Sequence, residues 1–583
     1  MSLTQPEVVF GSQATAGLFG GNILADRGEL LGNSYDAAVD DLGITTLRFP
    51  GGSLTEYLFD IRFPDAPTAF DVRFDEVKQM IGLSEFMSYA EQQGAPVTIV
   101  IPTQTQLSDA VDAGGNRLPD IQEGALRQFV QDVAGGRYGD VEVRAFEVGN
   151  EYWGSGQMNA AEYGRLAAEM SMIVDDALAE IGMQDVDVLV QKGQNFSFSE
   201  LSAEYEGVST PDALADINAR FGLDLGGEAV FGSGRINWTH VNNEIILNEF
   251  DTEAERAAID GVIAHVYSRG ADAPNTRVFD LNNINETWRA EMPELDVYVT
   301  EWNLKSTSNL DLNSDYGLFQ AHEMLNMVEV FMRLDVTEAN VWPLIQNTSN
   351  ALSNGFTYTD ATIGGEMFAM MAETLPGKVL LDFAPAEARV TEAAVGDVAV
   401  HAFAGEQELA LYLVNTQRED STMTDVDISG LIETFGAADV TLLGVAAGDA
   451  PGSNRSSAEV RELAAGQVIQ DGFISADLMP GEIMQVVFND VTPTEDFQPI
   501  WQTANDPARR DAPREDTRDV APADPNDPGD DGSIIPTVPV TDRPVPEDEP
   551  EEDDPLGLVA TGADLGLGMA VLPLLLLLGL AAF

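Results

Sequence analysis

Two glutamates in this chain stand where a strand pattern gives way to a loop. The stretch from Val143 to Trp153 runs through β-branched and aromatic residues into Gly149, Asn150 and Glu151, and a helical pattern follows from Asn159 to Ile181. Further on, Val297 to Thr300 make a second apolar run that ends in Glu301, Trp302 and Asn303. Parallel barrels keep their chemistry at such strand ends. Either motif alone arises by chance in a chain this acidic, but two of them at corresponding places in one barrel suggest paired carboxylate chemistry.

Composition narrows the alternatives. The chain has 583 residues, more than a single core usually serves, so two or more folded units are expected. Its 98 Asp and Glu against 29 Lys and Arg leave a formal charge of −69, which disfavours nucleic acid or an anionic membrane surface as partner and suits salty surroundings. With no cysteine there is no disulfide, thiolate nucleophile or cysteine-held metal. The chain has no His-Glu-x-x-His, no Gly-x-Ser-x-Gly and no phosphate loop. His240, His265, His322 and His401 are too scattered in sequence to propose a metal cluster, and Pro525 and Pro528 spoil the calcium-loop look of Asp524 to Gly532. No cofactor and no metal are expected.

The elements that would position the glutamates follow in order. Strand patterns fall at Leu18–Asn22, Thr45–Phe49, Pro96–Ile101, Val143 to the Glu151 end, Val186–Val190, Val262–Tyr267, Val297–Glu301 and Ala339–Ile345. Helical patterns lie between them, including Ser34–Leu42, Asp75–Gln93 and Leu126–Val133, and a long connection runs from Gln194 to Asp260. This alternation predicts a (β/α)₈ barrel over residues 1–378. Residues 379–490 then read as short alternating strands of a β-sandwich, which residues 1–14 could join. Residues 491–556 are rich in Pro and Asp and read as a disordered acidic linker. In residues 557–583 the uncharged run Leu565–Phe583 predicts an apolar C-terminal helix able to span a membrane. The apolar tail makes the expected location the cell surface or outside, anchored at the C-terminus, although the start, Met-Ser-Leu-Thr-Gln-Pro-Glu, has no signal-peptide pattern and leaves the export route open.

Strands four and seven face each other across a barrel mouth, so Glu151 and Glu301 can flank a bound sugar as the two carboxyl groups of a retaining glycosidase do, about 5 Å apart. Arg48, near the end of strand two, could project into the site as a hydrogen-bonding fork. Asn150 could hold a sugar hydroxyl, Tyr267 could bond the Glu301 carboxylate, and His265 shares its side of strand six. Trp302 and Trp342 offer stacking faces.

At these residues the chain resembles glycoside hydrolase clan A, and most closely its α-L-arabinofuranosidase-like members. The resemblance is carried by Arg48-Phe-Pro-Gly-Gly52, Gly149-Asn-Glu151, Glu162 to Glu169, His265-Val-Tyr267, Glu301-Trp-Asn303 and Gly365-Glu-Met-Phe368. Arg48 to Asp60 is also similar to heparanase-like β-glucuronidases, and Thr300 to Asn303 to β-xylosidases. The resemblance implies Glu151 as acid/base and Glu301 as nucleophile, with a plant or algal polysaccharide or its oligosaccharides as substrate. Alternatives are a β-xylosidase or β-glucuronidase type of hydrolase, or a carbohydrate-binding surface protein that has lost catalysis.

Overall fold

A computed structural model describes residues 3, 7–8, 13–27, 30–306, 310–383 and 393–506. Eight parallel strands close into a barrel: Gly20–Asn22, Leu47–Phe49, Val97–Ile101, Val143–Val148, Asp187–Gln191, Gly261–Ser268, Asp296–Leu304 and Val336–Val341. Side chains alternate across each strand, so one set fills the barrel and the other meets the helices outside. Ala145, Leu189, Ile263 and Tyr298 form a small apolar plug within the barrel. Beside it Glu338 takes bonds from Thr98 and Asn340, so the barrel carries buried polar groups even away from its mouth.

The helix after the fourth strand, Ala160–Ile181, starts with a capping box in which Asn159 and Glu162 satisfy each other's backbone N–H. It stops at Gly182, whose φ of 77° suits a residue without Cβ. The expected helix Asp75–Gln93 is only half present. Thr68–Asp71 and Glu76–Gln79 form a hairpin, with Phe70 opposite Val77, and the helix begins at Leu83. Val77 and Ile81 are four apart and fit a helix face, but the alternation of Phe70, Val72 and Phe74 fits a strand and its turn better.

The second domain pairs an antiparallel sheet, containing Val379–Asp382, Val398–Gly405, Glu408–Asn415, Ile483–Asn489, Ala437–Val445 and Ala458–Leu463, with a smaller sheet built on Thr422–Asp427 and Phe473–Leu478. Glu7–Val8 pairs with Leu381 and Asp382 at the edge of this sheet. The domain does not end at residue 490. Thr492–Pro493 pairs with Ile432–Thr434, and the helix Gln498–Ala504 places Trp501, with Phe497 just before it, in the core of the sandwich. Residues 507–556 of the expected linker and the apolar stretch 557–583 lie outside the described residues. Among the described residues no helix is long and apolar enough to cross a membrane.

Candidate active site

The fourth strand delivers its carboxylate by leaving the extended conformation. Gly149 has φ 84°, and a Cβ there would come within 2.7 Å of the Gln191 amide and 2.9 Å of Thr103, so glycine is the residue that fits. Glu151 follows at φ 45°, a left-handed backbone that a side chain seldom adopts and that the surrounding fold must enforce. Glu56 supplies part of that enforcement. Its buried carboxylate accepts the backbone N–H of Thr103, Gln104 and Asn150 at 2.8, 2.7 and 2.8 Å, tying three loops together beneath the mouth.

The seventh strand uses a bulge. Ala264 of strand six faces Val299, but the next residue, His265, faces Glu301, so Thr300 is extra on that side. The irregularity recurs toward strand eight, where the ladder skips from Val299 to Trp302. A bulge re-aims side chains. Here Thr300 and Glu301 both turn toward the barrel interior, where the Thr300 hydroxyl lies 3.5 Å from Glu147 and Glu301 meets Arg48. Trp302 points the other way, its ring 5.3 Å from Phe331 and 6.1 Å from Phe368 between centroids. Trp302 is therefore a packing residue under the helices and offers no face at the mouth, contrary to the sequence expectation.

Arg48 is the second correction. Its side chain is wholly buried, and its donors are spent on protein groups: Nε and Nη2 on Glu147 at 2.7 and 2.9 Å, Nη1 on Asn22 at 2.9 Å and Glu301 at 3.2 Å, and Nη2 also on Asn150 at 2.8 Å. It lies below the site and acts on the carboxylates rather than on a ligand. Burial works against the charge, but Glu147 and then Glu301 outweigh it and hold the guanidinium above its ordinary value. The Asn150 oxygen accepts from Arg48, and its amide N–H₂ lies 3.4 Å from Ser155.

Glu151, His265 and Glu301 converge at the mouth, each with one oxygen or nitrogen within 4.8 Å of the others. His265 Nδ1 lies 3.2 Å from Glu151 Oε1 and 3.5 Å from Glu301 Oε2. The Tyr267 hydroxyl donates to Glu301 Oε2 at 2.8 Å. Burial pushes the Glu301 carboxyl up; His265 and Arg48 pull it down, the charge of Glu151 pushes it up again, and the Tyr267 bond lowers it. For His265 burial disfavours the imidazolium, yet Glu301 and Glu151 raise it above the ordinary value. Trp342 stands beside Tyr267 in an apolar cluster with Leu24, Leu54 and Leu58, and a Cβ on Gly52 would strike its ring at 2.5 Å. The trio could in principle take a cation. Arg48 on one oxygen of Glu301 and Tyr267 on the other leave that carboxylate a poor ligand and put a positive charge behind it.

Several members of the site escaped the sequence reading. Glu147 lies two residues before Gly149 on the same strand, and alternation places it inside with Ala145, so a carboxylate on the interior face was the available signal. Asp26 Oδ1, Ser53 Oγ and Gln346 Oε1, on loops after the first, second and eighth strands, are buried without a protein hydrogen-bond partner, an arrangement that ligand hydroxyls would satisfy. Nor are the histidines all scattered: His322 and His401 meet at 3.1 Å between barrel and sandwich, with His401 also 2.9 Å from Glu329.

No protein-family model matches the chain, and no curated protein matches it by sequence. Solved structures do. An α-L-arabinofuranosidase from Thermotoga maritima, in complex with arabinose, superposes with a TM-score of 0.54 at 17% identity over 85% of this chain and 99% of its own. A family 51 α-L-arabinofuranosidase from Bifidobacterium longum gives 0.54 at 16% over 83% and 98%, and one of the same family from Xanthomonas axonopodis pv. citri gives 0.52 at 15% over 83% and 98%. The chain shares their fold. The coverage includes both domains, so the pairing of barrel and sandwich is common to all of them.

Proposed function

We propose that this chain is a retaining glycoside hydrolase of the α-L-arabinofuranosidase kind, acting on plant or algal polysaccharide or oligosaccharides released from it. The observation that carries the reading is the approach of Glu151 and Glu301 oxygens within 4.8 Å across the mouth of the barrel. That spacing suits a nucleophile and an acid on one bond, about 5–5.5 Å between carboxyl groups, and leaves no room for the water that inversion requires. The arabinofuranosidase named among the similar structures, crystallised with arabinose, supports the choice of sugar.

The surroundings divide the roles. Glu301 has a donor on each oxygen, Arg48 and Tyr267, which fixes its orientation and favours the anion, as a nucleophile requires. Among the described residues Glu151 pairs with His265, and it is less deeply buried than Glu301, placed where it can protonate the departing oxygen and later activate water. Among the described residues, two buried cations near the mouth, Arg48 and Lys192, are matched by Glu147 and Asp280, which gives no support to a uronic acid substrate. Attachment to a membrane through Leu565–Phe583 belongs to the same proposal and rests on the sequence.

Hydrolysis of an aryl glycoside panel (α-L-arabinofuranoside, β-xyloside, β-glucuronide, β-galactoside) tests the reading. Arabinofuranoside turnover with retained configuration is expected. Preference for xyloside or glucuronide would move the chain to the alternative hydrolases, and no turnover of any member would leave the binding-protein reading.

A further inference from the structure

Beside the mouth, the segment after the second strand walls two neighbouring hollows. One of about 420 Å³ lies between Glu56–Ala66 and the hairpin at Thr68–Ala69–Phe70, and another of about 690 Å³ opens toward Phe129 and Tyr138. Both fall in the size range of small-molecule sites, about 300–1,000 Å³. Ile61, Arg62, Phe63 and Pro64 line both, so the two hollows adjoin along this segment as one trough. It starts at the catalytic loops, because Glu56 is in its wall and holds the N–H of Asn150.

The lining repeats one device. In the first lobe Asp60 and Arg62 form a two-point pair (2.9 and 2.6 Å), with the guanidinium 5.9 Å from the Phe63 ring centre. In the second, Asp132 pairs with Arg137, whose guanidinium is 5.6 Å from Tyr138. Phe63 is 65% exposed and Phe70 53%, so both rings keep open area toward solvent. A ring beside a planar carboxylate–guanidinium pair suits a sugar unit, with C–H groups stacking on the ring and hydroxyls bonding the edge of the pair. Each pair is neutral, while the chain carries −69. An anionic polymer would be repelled and find no spare cation here.

We propose that this trough binds an uncharged segment of the polysaccharide outside the catalytic mouth, holding the polymer while a linkage enters between Glu151 and Glu301. The choice of polymer rests on the glycosidase reading; the binding itself does not. The test is electrophoresis of the full chain in native gels containing arabinan, arabinoxylan or polygalacturonate, with aryl glycoside kinetics alongside. Retardation by at least one neutral polymer and none by polygalacturonate is expected. The Phe63→Ala/Tyr138→Ala double variant should bind the polymer about tenfold more weakly, with aryl glycoside kcat/KM within twofold of the wild type. Glu301→Gln should lose turnover and keep the retardation. Wild-type mobility unaffected by both neutral polymers, equal retardation in polygalacturonate, or a double variant retarded like the wild type would each overturn the proposal. Retardation without turnover of any aryl glycoside would sink the glycosidase reading and leave the trough standing.

Discussion

Replacing Tyr267 by Phe removes a single atom from the site and should move the acid limb of the pH profile. The lost bond, 2.8 Å from the Tyr267 hydroxyl to Glu301 Oε2, is made to a charged acceptor in a buried place. Such bonds contribute about 1.5–3 kcal/mol. If all of it stabilises the anion, the Glu301 pKa rises by about 1–2 units, since one unit is about 1.4 kcal/mol. The direction is fixed by the arrangement: burial already pushes Glu301 up, Arg48 and His265 oppose it, and the tyrosine works with them. A nucleophile must be ionised, so the acid limb of kcat/KM shifts to higher pH by about 1–2 units, and the loss on that limb is about 10- to 100-fold. Well above the limb the loss is smaller, because the carboxylate is ionised with or without the phenol. The assay is a pH series on an activated aryl arabinofuranoside, with folding checked by circular dichroism. A variant whose acid limb coincides with the wild type's, at any overall rate, would refute the placing of the nucleophile beside Tyr267.

Glu301→Ala should abolish turnover on every substrate, whereas Glu151→Ala should spare substrates with good leaving groups and be rescued by azide to a product of retained configuration; inverted azide from Glu151→Ala would exchange the roles. Burial, followed by the nearby Glu291 and Glu228, raises Glu244 to about 7, so in the folded chain it keeps its proton well above the ordinary carboxylate range and gives it up toward pH 8. A carboxyl with a raised folded pKa contributes stability that is complete below its unfolded value and lost as pH climbs through the folded one. Glu244→Gln should therefore raise the Tm relative to wild type at pH 8 and not at pH 4, as calorimetry at the two pH values will tell. With −69 formal charges, Tm should increase between 0.1 and 1 M NaCl, where the screening length falls from about 10 to about 3 Å; an unchanged or falling Tm contradicts this. A chain cut after Asp506 should melt like the full chain, while one cut after Asp490 loses the buried Phe497 and Trp501 and should melt about 10 °C or more lower.

What the sequence disclosed and what it hid follow from periodicity. Gly149-Asn150-Glu151 and Glu301 were legible because a strand pattern ended at each, and strand order alone set them opposite one another. The strand-end motif hides the place of Trp302, because alternation from Glu301 sends the next side chain outward, under the helices. Even strict alternation would have misled at Thr300, because a bulge leaves no mark in a single sequence and an even count from Tyr298 puts Thr300 inside and Glu301 outside. The duty of Arg48 is not legible in the sequence, because its environment depends on Glu147 from a strand two places away in the barrel. The helix Gln498–Ala504 was hidden by composition: the Pro and Asp around it outweighed Phe497 and Trp501, the two rings that decide where the domain ends.

The bulge has a keeper on the first strand. Asn22 gives its amide N–H₂ to the carbonyl of Thr300 at 2.9 Å and lies 3.2 Å from those of Asn340 and Val341, while its oxygen takes Arg48. One side chain thus pays the hydrogen bond that the irregular ladder lacks and connects that spot to the cation under the carboxylates. An apolar residue at 22 would take one hydrogen bond from the Thr300 carbonyl and another from the Arg48 guanidinium at a single stroke. Asn22 thus ties the backbone of the bulge that turns Glu301 inward to the cation that holds the Glu301 carboxylate.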